Sequence, residues 1–391
     1  MTETVLALNC GSSSVKFGIF DTALRRVLSG DVEGLGAGLV PRMRIDGKEA
    51  ALPHGCRDHR GAIAALLELV GDRFGGLAAV GHRIVHGGTR FTEPVAIDAE
   101  TRAEIAALAP FAPAHQPHNL AGIDAVERLD PALPQVAVFD TAFHRTIPLH
   151  RQRMALPARF AAEGLLRFGF HGISYQSLAD RLPALLGDRA GRRVILCHLG
   201  NGCSLAGLVE GHSVYTTMGF TPLDGLMMGR RPGRLDPGAV LWLVERHGGD
   251  WREVGRILNQ EAGLLGVSGI TSDMRDLLSD GSETAGLAVA MFVDRLAQEV
   301  GGCAAALGGI DALVFTGGIG ENASPIRAQL VEQLGWLGLG LDAASNSRHA
   351  PTISSDGSSV SVHVLPTEEE RVIAQAAILL RSGGKAPPPR V

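Results

Sequence analysis

The chain has 391 residues, a length that allows about two to three domains. Hydrophobic residues make up 45% and charged residues 20%, and a formal net charge of -5 is spread without a basic stripe. This supplies a core and argues against a nucleic-acid or membrane-surface partner, though not against a small anion held by a few placed arginines.

The start, MTETVLALNCGSSS, has no basic n-region and no long apolar stretch, so no signal peptide is expected. No run approaches the roughly 18 apolar residues of a membrane span. The five cysteines (Cys10, Cys56, Cys197, Cys203, Cys303) are odd in number and form no CxxC pair. Reduced, packed thiols and a cytoplasmic location are expected rather than a disulfide framework or zinc site.

In chain order, Val5–Asn9 reads as a strand, Cys10–Ser14 as a glycine-serine loop and Val15–Asp21 as a returning strand. Apolar Ile63, Leu66, Leu67 and Val70 predict a helix over Asp58–Val70. Leu77–Val85 reads as a buried strand leading into His86-Gly87-Gly88. Asp98 is placed to cap a helix that ends before Pro110 and Pro113. Pro117–Leu129 reads as a helix, and Gln135–Phe139 as a buried strand that delivers Asp140.

A second series opens with a strand over Val194–Leu199, a loop over Gly200–Ser204 and a strand over Leu205–Glu210. VLALNCGSSSVKFGIFD and VILCHLGNGCSLAGLVEG share this strand–loop–strand form, which we read as a diverged internal duplication. Helices follow over Pro237–His247, Trp251–Glu261 and Glu283–Leu307. Ala312–Phe315 is a strand leading into GGIGENA as a loop. A helix over Pro325–Leu334, a strand over Val360–Leu365 and a helix over Glu368–Leu380 complete the order, before a disordered SGGKAPPPRV tail. The pattern predicts α/β domains with a cleft between them.

The loop Asn9-Cys10-Gly11-Ser12-Ser13-Ser14-Val15-Lys16 concentrates backbone N–H groups, hydroxyls and one ammonium, which suits phosphate oxygens; a polar hairpin turn is the competing reading. It is not a Walker P-loop, since GxxxxGK[ST] is absent. His198-Leu199-Gly200-Asn201-Gly202 repeats the idea, although Asn-Gly is itself a turn signal. Gly318-x-Gly320-x-x-Ala323 matches the dinucleotide fingerprint and so admits a dehydrogenase. It lies too late in the chain for a full dinucleotide fold, and a loop approaching adenosine is the better use. Arg83, and Arg230, Arg231 and Arg234 in one loop, offer guanidinium forks for carboxylate or phosphate. The histidines of Asp140-Thr141-Ala142-Phe143-His144 and Phe168-Gly169-Phe170-His171 sit beside phenylalanine, where a histidine is more often packed in a core than catalytic. His115 and His118 flank Pro117 with no carboxylates beside them, which argues against zinc.

In order along nearly the whole chain, NCGSSSVKF, GHRIVHGG, FDTAFHRTIP, FGFHGISY, HLGNGCSLA, TPLDGLMMGRRPG, VFTGGIGENA and PTEEE resemble the acetate kinase family. The resemblance implies a duplicated actin-like, ribonuclease H-like two-domain fold with an interdomain nucleotide cleft. It implies domains at 1–147 plus 370–391 and at 148–369, and a homodimer. Asn9, Ser12, Ser14 and Lys16 match the first phosphate loop. Arg83 and Arg231 match the substrate-site arginines, with His115, Asp140, His171 and Asn201 at other active-site positions. Val85, Ala114, Phe170 and Pro222 match the acceptor pocket. His198, Leu199, Gly200, Asn201 and Gly202, then Asp273, Met274 and Arg275, then Gly317, Gly318, Ile319, Gly320 and Asn322 match ATP-binding segments. Asn9 and Glu369 match the place of Mg²⁺, with Mn²⁺ as a substitute.

Four departures accompany the match. Glu368 stands where the family has Asn, Arg230 and Arg234 add charge to the arginine loop, Met274 replaces a usual Phe, and Ala114 a usual Leu. The implied reaction is direct in-line transfer of the ATP γ-phosphoryl group to acetate, with propionate or butyrate as the alternative acceptor. Arg83 would hold the acceptor, His171 and Arg231 would stabilise the transition state, and Asp140 would orient its neighbours. Ala114 removes about three carbons from the pocket, which leads us to expect better use of propionate than in an acetate-specific relative.

Overall fold

A computed structural model of the chain describes residues 3–11, 13–36, 40–52, 56–74, 76–113, 115–187 and 192–383. The expected tail beyond residue 383 lies outside them. The chain divides into two compact units: residues 1–143, 172–177 and 368–391, and residues 144–171 and 178–367. These bounds differ from 1–147 plus 370–391 chiefly in drawing 172–177 into the first unit. There Gly172 N donates to Asp140 O at 2.9 Å, and Ile173 packs with Val5, Ala79 and Ile373.

The first unit contains β1 (Thr4–Cys10), β2 (Ser14–Asp21), β3 (Arg26–Glu33), β4 (Arg42–Ile45), β5 (Lys48–Ala50), β6 (Leu77–Ile84), β7 (Val95–Ala96) and β8 (Gln135–Phe139). They form an eight-stranded sheet in the order β5-β4-β3-β2-β1-β6-β8-β7. β1 to β5 form an antiparallel meander, while β6 and β8 run parallel to β1.

β1 alternates strictly between two cores, as a strand with a side-chain period of two must. Leu6, Leu8 and Cys10 pack with helix α1 (His59–Phe74) and helix α3 (Gln116–Leu129); Val5 and Ala7 pack with the C-terminal helix Glu369–Arg381. Helix α2 (Ala99–Ala107) lies between these helices in the chain and is capped as expected, with Asp98 Oδ1 accepting from Thr101 N at 2.8 Å. Each fully buried aliphatic side chain contributes about 1.5–3 kcal/mol.

The second unit contains β9 (Arg193–Leu199), β10 (Cys203–Val209), β11 (His212–Thr216), β12 (Ala312–Thr316) and β13 (Ser361–Val364), in the order β11-β10-β9-β12-β13. A meander of three antiparallel strands is followed by two strands parallel to the first. Within the first sheet, β3-β2-β1-β6-β8 has this same order and these same directions. The duplication read from two short segments therefore extends through five strands of each unit. Helix Glu283–Leu307 covers this sheet with a stripe of Ala288, Phe292, Leu296, Val300 and Cys303, and Ser282 caps its start.

One expected loop is a helix. Gly317–Asn322 forms a short turn of α-helix rather than an open loop. Glu321 Oε1 accepts from Gly317 N at 2.9 Å and Thr316 Oγ1 at 3.2 Å, and Asn322 Nδ2 donates to Gly318 O at 2.9 Å. Side chains of the motif thus satisfy the donors and carbonyls that a glycine-rich stretch would otherwise expose.

Candidate active site

Three polar residues of the first unit emerge where parallel strands end. β1 pairs Leu8 with His82 of β6, which sets Asn9 beside Arg83; β6 pairs Arg83 with Val138 of β8, two residues before Asp140. Asn9 shares a sheet face with Val5 and Ala7, and Asp140 follows the parity of Val136 and Val138, so both point toward the C-terminal helix. Carboxyl ends of parallel strands are where α/β sheets present their ligand sites.

These side chains form one bonded chain. Asp140 Oδ2 accepts from Arg83 Nε at 3.0 Å and Nη2 at 2.6 Å. Arg83 Nη1 donates to Asn9 Oδ1 at 3.0 Å, and Asn9 Nδ2 donates to Glu369 Oε2 at 3.2 Å. Burial opposes the charged form of Arg83, but Asp140, Glu369 and Glu370 outweigh it and hold the guanidinium above its ordinary value. Burial and the neighbouring Glu369 push the Glu370 carboxyl up.

Among the described residues no group of three or more His, Cys, Asp or Glu gathers as a metal site. Asn9 spends its carbonyl on Arg83, which leaves Glu369 as the hard oxygen donor of the pair. One carboxylate fits a magnesium ion that draws its remaining ligands from substrate phosphates and water.

Helix α3 braces this edge. Asn119 Nδ2 donates to Cys10 O at 2.9 Å while its Oδ1 accepts from Val85 N at 3.0 Å, and Gln116 bonds both backbone groups of His86. His59 Nε2 lies 2.6 Å from Gly11 O. Ser14 and Lys16 stand on β2, with Lys16 exposed, and Val85 is buried. His115 precedes α3, its N donating to Ala112 O at 3.0 Å. Ser12 and Ala114 lie outside the described residues.

The second unit assembles its own set around the β9–β10 turn. The His171 ring stacks on His198 at 4.2 Å and 21°, and its Nδ1 lies 2.9 Å from Ser204 Oγ. His171 is held at a φ of +58°, next to Gly169 at +73°. His144 Nε2 reaches Phe170 O at 3.0 Å, and Phe170 is itself buried. Burial pushes the His144 imidazole down to about 4, so it is neutral near pH 7, the packed role open to it from sequence.

Arg231 Nη1 donates to Pro222 O at 2.6 Å. Burial lowers its guanidinium from the ordinary value, and among the described residues it pairs with no carboxylate. Gly202 is the hinge of this geometry. A Cβ there would stand 2.8 Å from Arg231 Nη2 and 3.3 Å from His171 Nε2, so two nitrogens converge on the space that glycine leaves.

Gly318 and Gly229 lie beside the same turn. A Cβ on Gly200 would lie 3.9 Å from Gly318 N, and one on Gly229 would meet Asn201 Oδ1 and Ser272 Cβ. Gly229 N donates to Asn201 O at 3.1 Å. Leu199 and Met274 are buried, Ile319 is partly exposed, and Gly317 and Gly320 are buried in their helix. Asp273 caps helix Met274–Asp280 and also binds its own neighbour, Arg275.

Sequence reasoning missed Ser204, Asn119, Glu321 and Arg327. Ser204 had a signal: a three-residue loop over Gly200-Asn201-Gly202 places His198 and Ser204 opposite each other on one sheet face. The added charges are spent differently. Arg234 pairs with the buried Glu299 at 3.3 Å, whereas Arg230 is exposed. Glu368 N donates to Ser177 Oγ at 3.1 Å.

The model of the acetokinase family matches residues 4–375. An acetate kinase of Rhodopseudomonas palustris is 45% identical, covering 98% of this chain and 100% of that one; an acetate kinase of Rhizobium meliloti is 44% identical with the same coverage. Among solved structures, a propionate kinase from Francisella tularensis aligns with a TM-score of 0.90 at 35% identity, covering 96% of this chain and 99% of that one. The acetate kinase of Porphyromonas gingivalis aligns with a TM-score of 0.86 at 38% identity and the same coverage.

Proposed function

The chain belongs to the acetokinase family, and we propose on that premise that it reversibly transfers the γ-phosphoryl group of ATP to acetate, giving acetyl phosphate and ADP. The observation that carries the reading is Arg231, a cation paired with no carboxylate among the described residues and aimed with His171 Nε2 at one small space.

A small carboxylic acid, with a pKa of about 4 to 5, is already ionised at neutral pH. The acceptor oxygen attacks phosphorus, the bond to the ADP oxygen breaks, and no proton has to be removed. The obstacle is repulsion between two anions, so placed positive charge dominates catalysis. The residues agree with this. Asp140 is engaged by two nitrogens of Arg83 and orients it, rather than serving as a base. Arg83 holds the acceptor carboxylate, while Arg231 and His171 meet charge on the transferring group. Mg²⁺, or Mn²⁺ in its place, neutralises the nucleotide phosphates when bound. Glu369 would hold it, with Asn9 fixing Glu369 to Arg83. The ATP phosphates fall to the β1–β2 and β9–β10 turns, and the adenosine to 273–275 and 317–322.

The finer properties follow from the family and from surface chemistry. A homodimer is supported by exposed Leu241, Trp242, Trp251, Leu287 and Met291 on helices of the second unit. Five buried, unpaired cysteines agree with a cytoplasmic location. No helix among the described residues is long and apolar enough to cross a membrane.

Propionate is the second reading for the acceptor, favoured by Ala114 and by the likeness to the Francisella enzyme. Steady-state kinetics over formate, acetate, propionate and butyrate separates the two. Acetate should be used well, with propionate within about fourfold in kcat/KM, the worth of one buried methylene. A preference of more than about tenfold for propionate or butyrate over acetate would reject acetate as the acceptor.

A further inference from the structure

We propose that Ser204 is the positioning residue that keeps the single proton of a neutral His171 ring on Nε2, the nitrogen that donates to the phosphoryl group. The inference rests on the reading of His171 as that donor.

The ring is fixed from several sides. His198 on β9 stacks against one face at 4.2 Å. Ser204 on β10, opposite His198 in the antiparallel register, meets Nδ1 at 2.9 Å. The backbone of His171 is held in the left-handed region, and the preceding carbonyl is bonded by His144. Nε2 is thereby aimed at the space over Gly202, where Arg231 Nη2 also arrives.

A neutral imidazole carries its proton on one nitrogen only. When the Ser204 hydroxyl donates to Nδ1, that nitrogen accepts and the proton sits on Nε2. In the opposite tautomer Nε2 is a bare lone pair, which repels a phosphoryl oxygen. Within this unit His198 from β9 and Arg231 from its loop face the ring. Beside Arg231 the Cys203 thiol is pushed up to about 12 by burial and stays protonated. A neutral ring needs its tautomer set, and the Ser204 hydroxyl is the group that meets Nδ1.

The test combines two variants with a direct view of the ring. Ser204→Ala should lower kcat about 10- to 100-fold at pH 8, within what a lost oxyanion donor costs, with little change in KM. Ser204→Thr, which keeps the hydroxyl, should restore most of the rate. ¹⁵N NMR of the unaltered protein, with His171 assigned by loss of its signal in His171→Asn, should show the Nε2–H tautomer; this holds even if the Ser204 variants fold poorly. A Nδ1–H tautomer, or a Ser204→Ala variant with unchanged kcat, overturns the proposal. If His171→Ala loses the rate while Ser204→Ala keeps it, the role of Ser204 alone is refuted. If His171→Ala keeps the rate, the reading of His171 fails with it.

Discussion

Arg83 and Arg231 are the same residue type in opposite circumstances. Arg83 is anchored at every nitrogen, with Asp140 on two and Asn9 on the third. It is a fixed platform, and its carboxylate partner already neutralises much of its charge. Arg231 is tethered through one nitrogen to a neutral carbonyl. Its charge is therefore available to an anion, which is what a transition state between two anions needs. The expected outcome is that Arg231→Ala lowers kcat by roughly 10³–10⁵ with folding intact. A loss below about tenfold, measured by steady-state kinetics on a protein with an unchanged melting temperature, would remove Arg231 from this role. Both arginines were legible in the sequence as forks in glycine-rich surroundings. Their difference was not, because it depends on partners 57 and 74 residues away in one case and on a single backbone oxygen in the other.

At the scale of elements, the strands that position the site were readable, and much of what surrounds them was not. β1, β8 and β9 are short apolar runs ended by glycine, asparagine or aspartate, so composition and boundary signals agree. β3, β4 and β5 carry Asp31, Glu33, Arg42, Arg44 and Lys48, half exposed; β4 alternates through Met43 and Ile45 but over only four residues, too few to stand out. The helix at Gly317–Asn322 was hidden by its glycines, which count against helix by propensity, while Glu321 and Asn322 supply the bonds that override it.

That helix is also secured from behind. Arg327, fully buried on helix Ser324–Gln333, donates to Gly320 O at 2.8 Å and Glu321 O at 2.9 Å, and to Asn346 Oδ1 and O. A buried guanidinium on the carbonyl end of a short helix fixes where its glycine end lies. Arg327→Met leaves those oxygens unsatisfied at about 1–3 kcal/mol each. It should lower the melting temperature and raise the KM for ATP about tenfold while the KM for acetate stays within about twofold. Equal changes in both Michaelis constants would mean that Arg327 supports the fold alone.

For the whole molecule, the repeated strand order states the design most directly. A three-strand meander followed by two parallel strands occurs once in each unit, and each copy presents polar side chains at the first hairpin and at the parallel strand ends. The copies have diverged in chemistry. The first carries Asn9, Arg83, Asp140 and Glu369, a carboxylate-rich chain around one arginine; the second carries His171, His198, Asn201 and Arg231, with no carboxylate bonded to its arginine among the described residues. We propose that the first set holds the acceptor and the second neutralises charge, the two things phosphoryl transfer to a carboxylate requires. The most direct measurement of this claim is trapping of the acyl phosphate as a hydroxamate, with ATP, Mg²⁺ and acetate. Hydroxamate should form in step with ADP, with none in the absence of acetate and none when the metal is chelated. ADP released without hydroxamate, or at the same rate with and without acetate, would contradict it.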